Sequence, residues 1–147
     1  MAYAAGGSQH RQPEATHERV HQTITIRATP NAVFDFVANI ETLPQWAVVF
    51  CQKLRRDGSR WIVTTPGGEM TLRYASDPRS GVVDMYTSVA GGEEDVAYSR
   101  VIPNGDGSEY VFTFFQTSDI SDQDFARMGA ALKKELGVLK GLLEKRS

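Results

Sequence analysis

Residues 121–146 read SDQDFARMGAALKKELGVLKGLLEKR, and this stretch decides the fold. Its apolar residues recur every three or four positions, which predicts one long amphipathic helix with a single buried stripe. Acidic residues in the first turn and basic residues near the other end complement the helix dipole. A lone helix of this length must pack its stripe against another layer. The stripe consists of Phe125, Met128, Leu132, Leu136, Leu139 and Leu143.

An antiparallel sheet is the layer that the rest of the chain offers. Thr29-Pro30 predicts the start of a short helix after the first strand, and Leu43-Pro44-Gln45-Trp46 breaks that helix into a second one. Residues 1–18 have no hydrophobic periodicity and are predicted to be a flexible tail, and residues 19–147 to be a single domain. The predicted strands lie near residues 20–27, 48–56, 60–66, 69–76, 82–90, 94–102 and 109–117, with turns rich in Gly, Pro, Asp and Asn between the last six.

The lengths of these turns predict which strand residues share a face. We assign an even number of residues to each loop up to and including Gly91-Gly92, and an odd number to the loop through Gly105. One face of the sheet is then apolar and the other polar, as a one-sided sheet requires. The polar face then carries Cys51 and a cross-strand ion pair between Arg73 and Asp84. The predicted apolar face contains Phe50, Gln52, Leu54, Trp61, Val63, Met70, Leu72, Tyr74, Val83, Met85, Val89, Val96, Tyr98, Arg100, Ile102, Tyr110, Phe112 and Phe114.

The composition and the absence of known motifs argue against several classes of function. A net charge of −2 gives no reason to expect a nucleic acid partner, and no apolar run reaches the roughly 18 residues of a membrane span. The first residues lack the features of a secretion signal, and the single cysteine, Cys51, favours a cytoplasmic location. His10, His17 and His21 lie away from the apolar face, and no zinc, phosphate or dinucleotide motif is present. We therefore expect no metal and no cofactor.

A strand, a helix pair bounded by Thr29-Pro30 and Trp46, six antiparallel strands and a long C-terminal helix resemble the START/Bet v 1-like (SRPBCC) superfamily. The chain is most similar to its small polyketide cyclase/dehydrase and lipid-transport branch, and Gly107-Ser108 before the last strand adds to the resemblance. It implies an α+β helix-grip fold: a curved seven-stranded antiparallel sheet wrapped around the long C-terminal helix, with two short helices between the first two strands. It also implies a cavity between sheet and helix. The superfamily includes binders, carriers and enzymes, so no single activity follows.

Arg100 is the candidate polar anchor of that cavity. A charged side chain on an apolar face needs a partner, because burying it alone costs several kcal/mol. A ligand carboxylate, enolate or polarised carbonyl would supply one. The alternative is that Arg100 reaches solvent at the end of the sheet, or pairs with Glu94 or Asp106. The tyrosines of this face, Tyr74 and Tyr98 among them, either orient an apolar ligand through their hydroxyls or simply fill the core.

We expect the cavity to bind a hydrophobic or aromatic small molecule, lipid-like or polyketide-like. One alternative is a cyclase or dehydratase, with Arg100 stabilising an enolate while Tyr98 or Tyr74 moves the proton. Another is a regulatory or interaction module with a vestigial cavity. Ile62, Val111 and Phe115 on the opposite face are candidates for a homodimer contact. The predicted ligand-binding residues are Trp61, Leu72, Tyr74, Met85, Tyr98, Arg100, Tyr110, Phe112, Phe114, Met128 and Leu132.

Overall fold

The computed structural model describes residues 15–146. Most of the predicted N-terminal tail, residues 1–14, and the last residue, Ser147, lie outside this description. The helices are α1 (Pro30–Val37), α2 (Leu43–Trp46) and α3 (Asp122–Arg146), with a 3-10 turn, Ile40–Thr42, between the first two. The strands are β1 (Arg19–Ile26), β2 (Lys53–Asp57), β3 (Arg60–Thr65), β4 (Gly68–Asp77), β5 (Val82–Ser88), β6 (Asp95–Asn104) and β7 (Gly107–Phe115).

The seven strands form one antiparallel sheet in the order β1-β7-β6-β5-β4-β3-β2. α3 lies across one side of it and packs most closely against β1 and α2. The predicted helix-grip architecture is therefore confirmed. No helix among residues 15–146 is both long and apolar enough to span a membrane.

The helix ends follow the capping signals in the sequence. Thr29 Oγ1 accepts a hydrogen bond from the backbone N–H of Ala32 at 3.2 Å, with Pro30 in the first turn. Ser121 Oγ does the same for the N–H of Asp124 at 3.1 Å, at the start of α3. The side chains that α3 buries are Phe125, Leu132, Glu135, Leu136, Leu139 and Leu143, whereas Met128 is 39% exposed.

The predicted second strand begins too early. Cys51 N–H donates to Ala47 O at 2.7 Å, so the chain makes another turn after α2 and enters β2 only at Lys53. Phe50 and Gln52 are consequently not sheet residues. Cys51 is buried in the core, with 4% of its surface exposed, so its predicted place on the outer face is wrong.

The predicted face of β6 is also wrong. Thr87 pairs with Asp95, so an odd number of residues, 88–94, lies between these two partners. Gly91 in this connection has a φ of +75°. Shifting this loop by one residue reverses the faces of the strand. Asp95, Ala97, Ser99 and Val101 therefore take the inward positions, and Val96, Tyr98, Arg100 and Ile102 take the outward ones. Val89, also predicted inward, lies beyond β5 and is 54% exposed.

The following turn compensates for this shift. Asn104 pairs with Gly107, leaving the two-residue turn Gly105-Asp106 in place of the predicted odd loop. Gly105 has a φ of +58°, as the first central residue of a type II′ hairpin requires. Because the two errors cancel, the aromatic residues of β7 face inward as predicted.

The predicted ion pair between Arg73 and Asp84 does not form. Arg73 pairs across the strands with Tyr86, and its guanidinium lies 4.0 Å from the centre of that ring. Its Nε and Nη2 both donate to the carboxylate of Glu94 at 2.7 Å. Asp84 is opposite Ala75, since the β4–β5 register differs from the predicted one by two residues.

We define the inner face as the side of the sheet turned towards α3. Its residues enter the main hydrophobic core or pack against it, and Ser99 shares their register. The inner face comprises Val20, Ile24, Ile26, Leu54, Trp61, Val63, Met70, Leu72, Tyr74, Val83, Met85, Ala97, Ser99, Val101, Tyr110, Phe112 and Phe114.

The turn before β5 allows a direct test of how β5 and β6 pack together. A methyl group on Gly81 would lie 2.2 Å from the backbone oxygen of Val101, and Gly81 has a φ of +80°. Gly91 has a similar φ, but nothing lies within 4 Å of the corresponding position. We expect Gly91→Ala to cost about 1 kcal/mol and Gly81→Ala at least about 3 kcal/mol in urea unfolding. Equal costs for the two variants would contradict the close packing of Gly81 on β6.

Candidate functional site

Most of the predicted ligand-binding residues meet on the inner face. Trp61, Leu72, Tyr74, Met85, Tyr110, Phe112 and Phe114 project from four strands, β3, β4, β5 and β7, and Leu132 faces them from α3. Met128 lies one turn earlier on the helix and is 39% exposed. The alternation of β-strand side chains explains why the hairpin registers bring these residues together.

Two predicted site residues lie on the other side of the sheet. Arg100 is exposed, and its Nε donates to the backbone oxygen of Ser80 at 3.0 Å. Tyr98 is 45% exposed and packs edge-to-face on Phe115, with 6.4 Å between ring centres. Their predicted place on the apolar face is wrong, because the odd β5–β6 loop turns both of them outward.

A continuous series of aromatic rings follows β7 along the inner face. Neighbouring rings meet edge-to-face, a favoured geometry for aromatic pairs. The series runs from Trp46 in α2 to Phe125 in α3. Its ring centres are 6.3 Å apart for Trp46–Tyr110, 6.1 Å for Tyr110–Phe112, 6.2 Å for Phe112–Phe114 and 5.6 Å for Phe114–Phe125.

The inner face is not fully covered. Trp61, Met70, Tyr74, Ala97 and Phe114 are only partly buried, although they belong to the same apolar surface as the core. In a one-sided sheet such residues are normally covered by the opposing layer. Their partial exposure leaves apolar and aromatic surface accessible on the inner face.

Three buried polar atoms in this interior have no hydrogen-bond partner among residues 15–146: Trp46 Nε1, Tyr74 Oη and Tyr110 Oη. We call these three side chains the inner polar cluster. Trp46 contacts Tyr110 edge-to-face, and Tyr110 is near enough to Tyr74 that ionising it would raise the pKa of Tyr74. An unpaired buried polar group costs about 1–3 kcal/mol, so native proteins rarely leave several of them together.

Both tyrosines of the inner polar cluster stay protonated. Burial raises the pKa of Tyr74, and the neighbouring Tyr110 and Cys51 raise it further. Burial likewise raises the pKa of Tyr110, and the neighbouring Ser99 hydroxyl opposes this change. Ser99 itself donates to the backbone oxygen of Val83 at 2.6 Å. At neutral pH the two phenols are therefore neutral hydrogen-bond donors and not bases.

Glu135 is a buried carboxylate that the sequence reasoning missed. Its Oε2 accepts from the backbone N–H groups of Val49 at 3.0 Å and Phe50 at 2.8 Å, which ties α3 to the turn before β2. Burial raises the pKa of Glu135, and the two N–H donors partly oppose this. Helical spacing could have revealed it: Glu135 lies three residues after Leu132 and four before Leu139, on the buried stripe.

Trp46 and Cys51 were missed for a different reason. Both lie in the irregular segment around α2, where neither the helical nor the strand period predicts the direction of a side chain. Burial and the nearby charge of Glu135 raise the pKa of the Cys51 thiol, so the thiolate is disfavoured. Cys51 therefore behaves as a small core residue. Within residues 15–146, no group of three His, Cys, Asp or Glu side chains could hold a metal ion.

Two clefts open elsewhere on the surface. One of 490 Å³ lies beside β1 and the segment before α3. The other, of 580 Å³, lies between α1 and the end of α3, where Arg146 stacks over Phe36 at 5.1 Å. Neither includes a predicted ligand-binding residue. The larger cleft is lined by Ala28, Thr29, Ala32, Asp35, Phe36, Asn39, Thr42, Gln45, Leu143 and Arg146.

The sequence profile of the family described as polyketide cyclase / dehydrase and lipid transport matches residues 17–144. The chain belongs to this family. The match covers every strand and nearly all of α3, and it confirms membership of the START/Bet v 1-like (SRPBCC) superfamily. The shared architecture is one that binds hydrophobic ligands. No curated protein sequence matches the chain.

Solved structures share the fold at low sequence identity. Protein MLL2253 from Mesorhizobium loti superposes with a TM-score of 0.69 at 12% identity, covering 88% of this chain and 99% of that one. The Aha1 dimer from Colwellia psychrerythraea gives 0.67 at 16%, covering 86% and 96%. Ara h 8.0201 gives 0.60 at 14%, covering 87% and 98%. These similarities show a common fold and carry no function by themselves.

Burial of Glu135 predicts a specific pH dependence of stability. Because its folded-state pKa lies above the ordinary 4.5, the folded protein binds more protons than the unfolded chain just above that pH. Glu135 therefore lowers stability as pH rises from about 4.5 through the folded pKa, by at most about 1.4 kcal/mol per pH unit. We expect the free energy of unfolding of Glu135→Gln, measured in urea, to increase relative to that of the wild type as the pH rises across this window.

The exposed Glu41→Gln variant is the control for removing one negative charge. Its stability should follow the wild type across the same pH range. If the stability of Glu135→Gln also changes with pH in the same way as that of the wild type, the carboxylate is not buried as described.

Proposed function

We propose that this protein binds a hydrophobic or aromatic small molecule between the inner face and α3. The observation that carries the proposal is the partly exposed aromatic surface of Trp61, Tyr74 and Phe114 on the inner face, where Phe114 also contacts Phe125 of the helix. Ligand pockets are mostly apolar with a few polar groups that fix orientation, and the inner polar cluster supplies such groups. A lipid-like or polyketide-like compound has the matching chemistry.

The location of the proposed site follows from the helix. α3 packs most closely against β1 and α2, so we infer that the ligand lies over the middle strands of the inner face. Met85 and Leu72 on these strands and Leu132 on α3 are buried residues that would line the site. A flat, apolar ligand would cover the aromatic edges that are exposed on the inner face and add roughly 25 cal/mol of favourable free energy for each Å² buried.

A cyclase or dehydratase activity is the second candidate. The three donors of the inner polar cluster could stabilise an enolate oxygen, as oxyanion-binding groups do. A base would also be needed, and the raised pKa values of Tyr74 and Tyr110 disfavour either phenolate. Glu135 Oε2 is already shared by two backbone donors. Conversion of a recovered ligand by the wild type, abolished in Tyr110→Phe, would favour the enzyme.

Other expectations from the sequence stay proposals. A vestigial cavity would be filled by Phe112, Phe114 and Met128. Phe112 is buried, Phe114 is partly buried and Met128 is 39% exposed. For a homodimer contact, Phe115 is 43% exposed, whereas Ile62 is buried. A cytoplasmic location is compatible with Cys51 being a free, buried thiol.

Filling the proposed site provides the test. Ala97 lies on the inner face and is partly buried, and its neighbour Val96 lies on the outer face of the same strand. We expect Ala97→Trp to weaken the binding of the neutral dye Nile red at least about tenfold, because the ring occupies the interior. Val96→Trp should leave the affinity within about twofold.

Both variants add the same strand-compatible side chain, and their melting temperatures report any general damage. Equal dye affinity in the two variants, with both folded, would place the binding surface elsewhere.

A further inference from the structure

The geometry points to an uncharged ligand with a hydrogen-bond acceptor, such as a ketone or ester oxygen, held by the indole N–H of Trp46 and the hydroxyls of Tyr74 and Tyr110. This inference rests on the proposed function and deepens it, since it names the chemical class that the same interior selects.

The inner polar cluster has donors in excess. An indole nitrogen can only donate, and a phenol hydroxyl donates one proton. None of these three groups has a partner among residues 15–146. Ser99 Oγ is close enough to affect the pKa of Tyr110, but it directs its own proton to Val83 O and offers only one acceptor atom for the three donors. A ligand oxygen with two lone pairs is the complement to such a set, because it can accept from two donors at once.

The same interior is unsuited to an anion. No lysine, arginine or histidine between residues 15 and 146 is buried, whereas Glu135 is. Arg56 shares the inner-face register as the cross-strand partner of Trp61, but it lies on the edge strand β2, is exposed, and has its guanidinium 5.0 Å from the centre of the Trp61 ring. A buried carboxylate would need a close counter-ion.

Acidic side chains at one end of the inner face also disfavour an anionic ligand. Asp95 shares the inward register of β6 with Ala97 and lies near Asp119 and Glu93, whose charges affect it. Three carboxylates together give a negative potential, which disfavours the approach of an anionic ligand. A fatty acid or another free carboxylate is therefore a poor candidate, and a neutral carbonyl compound a good one.

Three naphthalene probes of nearly equal shape test the inference. Methyl naphthyl ketone carries the acceptor, isopropenylnaphthalene replaces its oxygen with a CH₂ group, and naphthoate carries a negative charge. Each competes with Nile red for the full-length protein. We expect the ketone to bind about tenfold more tightly than the alkene, the value of one or two net hydrogen bonds. Naphthoate should bind more weakly than the ketone.

Variants then identify the donors. Tyr110→Phe and Tyr74→Phe each remove one unpartnered oxygen, so both should fold and should reduce the preference for the ketone to within about threefold. Tyr98→Phe makes the same change on the outer face and should leave the preference unchanged. A circular dichroism melt of each variant confirms that it is folded.

Each result has a distinct meaning. Equal binding of ketone and alkene, tighter binding of naphthoate, or an unchanged preference in both inner variants would overturn the inference while leaving an apolar site in place. Failure of the ketone to compete at its solubility limit, while Nile red binds, also counts against the inference. Failure of Nile red and all three probes to bind would overturn the proposed function itself.

A spectroscopic readout follows the hydrogen bond directly. In protein labelled with ¹⁵N only at tryptophan, Trp46 and Trp61 each give one indole N–H signal. We expect the ketone to move the Trp46 proton signal downfield by more than the alkene does. Equal shifts with the two probes would contradict the proposed bond to Trp46.

Discussion

A single helix about 10–12 Å across faces a sheet of seven strands, which would span roughly 29 Å if it were flat. The helix cannot cover that width. The structure meets the mismatch by placing α3 close to β1 and α2, by packing α1 against β6 and β7, and by filling part of the remaining space with the aromatic series along β7. Some inner-face rings still stay partly exposed. The proposed binding site is the consequence of this mismatch in width.

The segment around α2 completes the interior and carries its polar groups. Glu135 accepts from two successive backbone N–H groups of the turn that follows α2, and this turn buries Cys51 while α2 buries Trp46. A buried carboxylate held in this way is costly unless its hydrogen bonds persist. The same contact therefore fixes the helix to the segment that holds the Trp46 ring edge-to-face with Tyr110.

The sequence predicted the fold well because its strongest signals do not depend on exact loop lengths. These signals are the helical stripe, the strand alternation and the cap at Thr29. It predicted the site less well because a strand's face depends on a single residue of loop length. Gly91-Gly92 allows either parity, and the wrong choice placed Arg100 inside. Trp46 lies where no period applies. The correction changes the predicted ligand: without an inward arginine, the interior offers neutral donors in place of a cation.

The central claim is that this interior holds a neutral, largely apolar compound. Native mass spectrometry of the protein purified from its own host, followed by denaturing extraction, tests it most directly. The account predicts one predominant small molecule at near one-to-one stoichiometry, uncharged at neutral pH and bearing a carbonyl or similar acceptor. A protein that carries no bound compound in repeated preparations, or one that carries a free carboxylic acid, would contradict it.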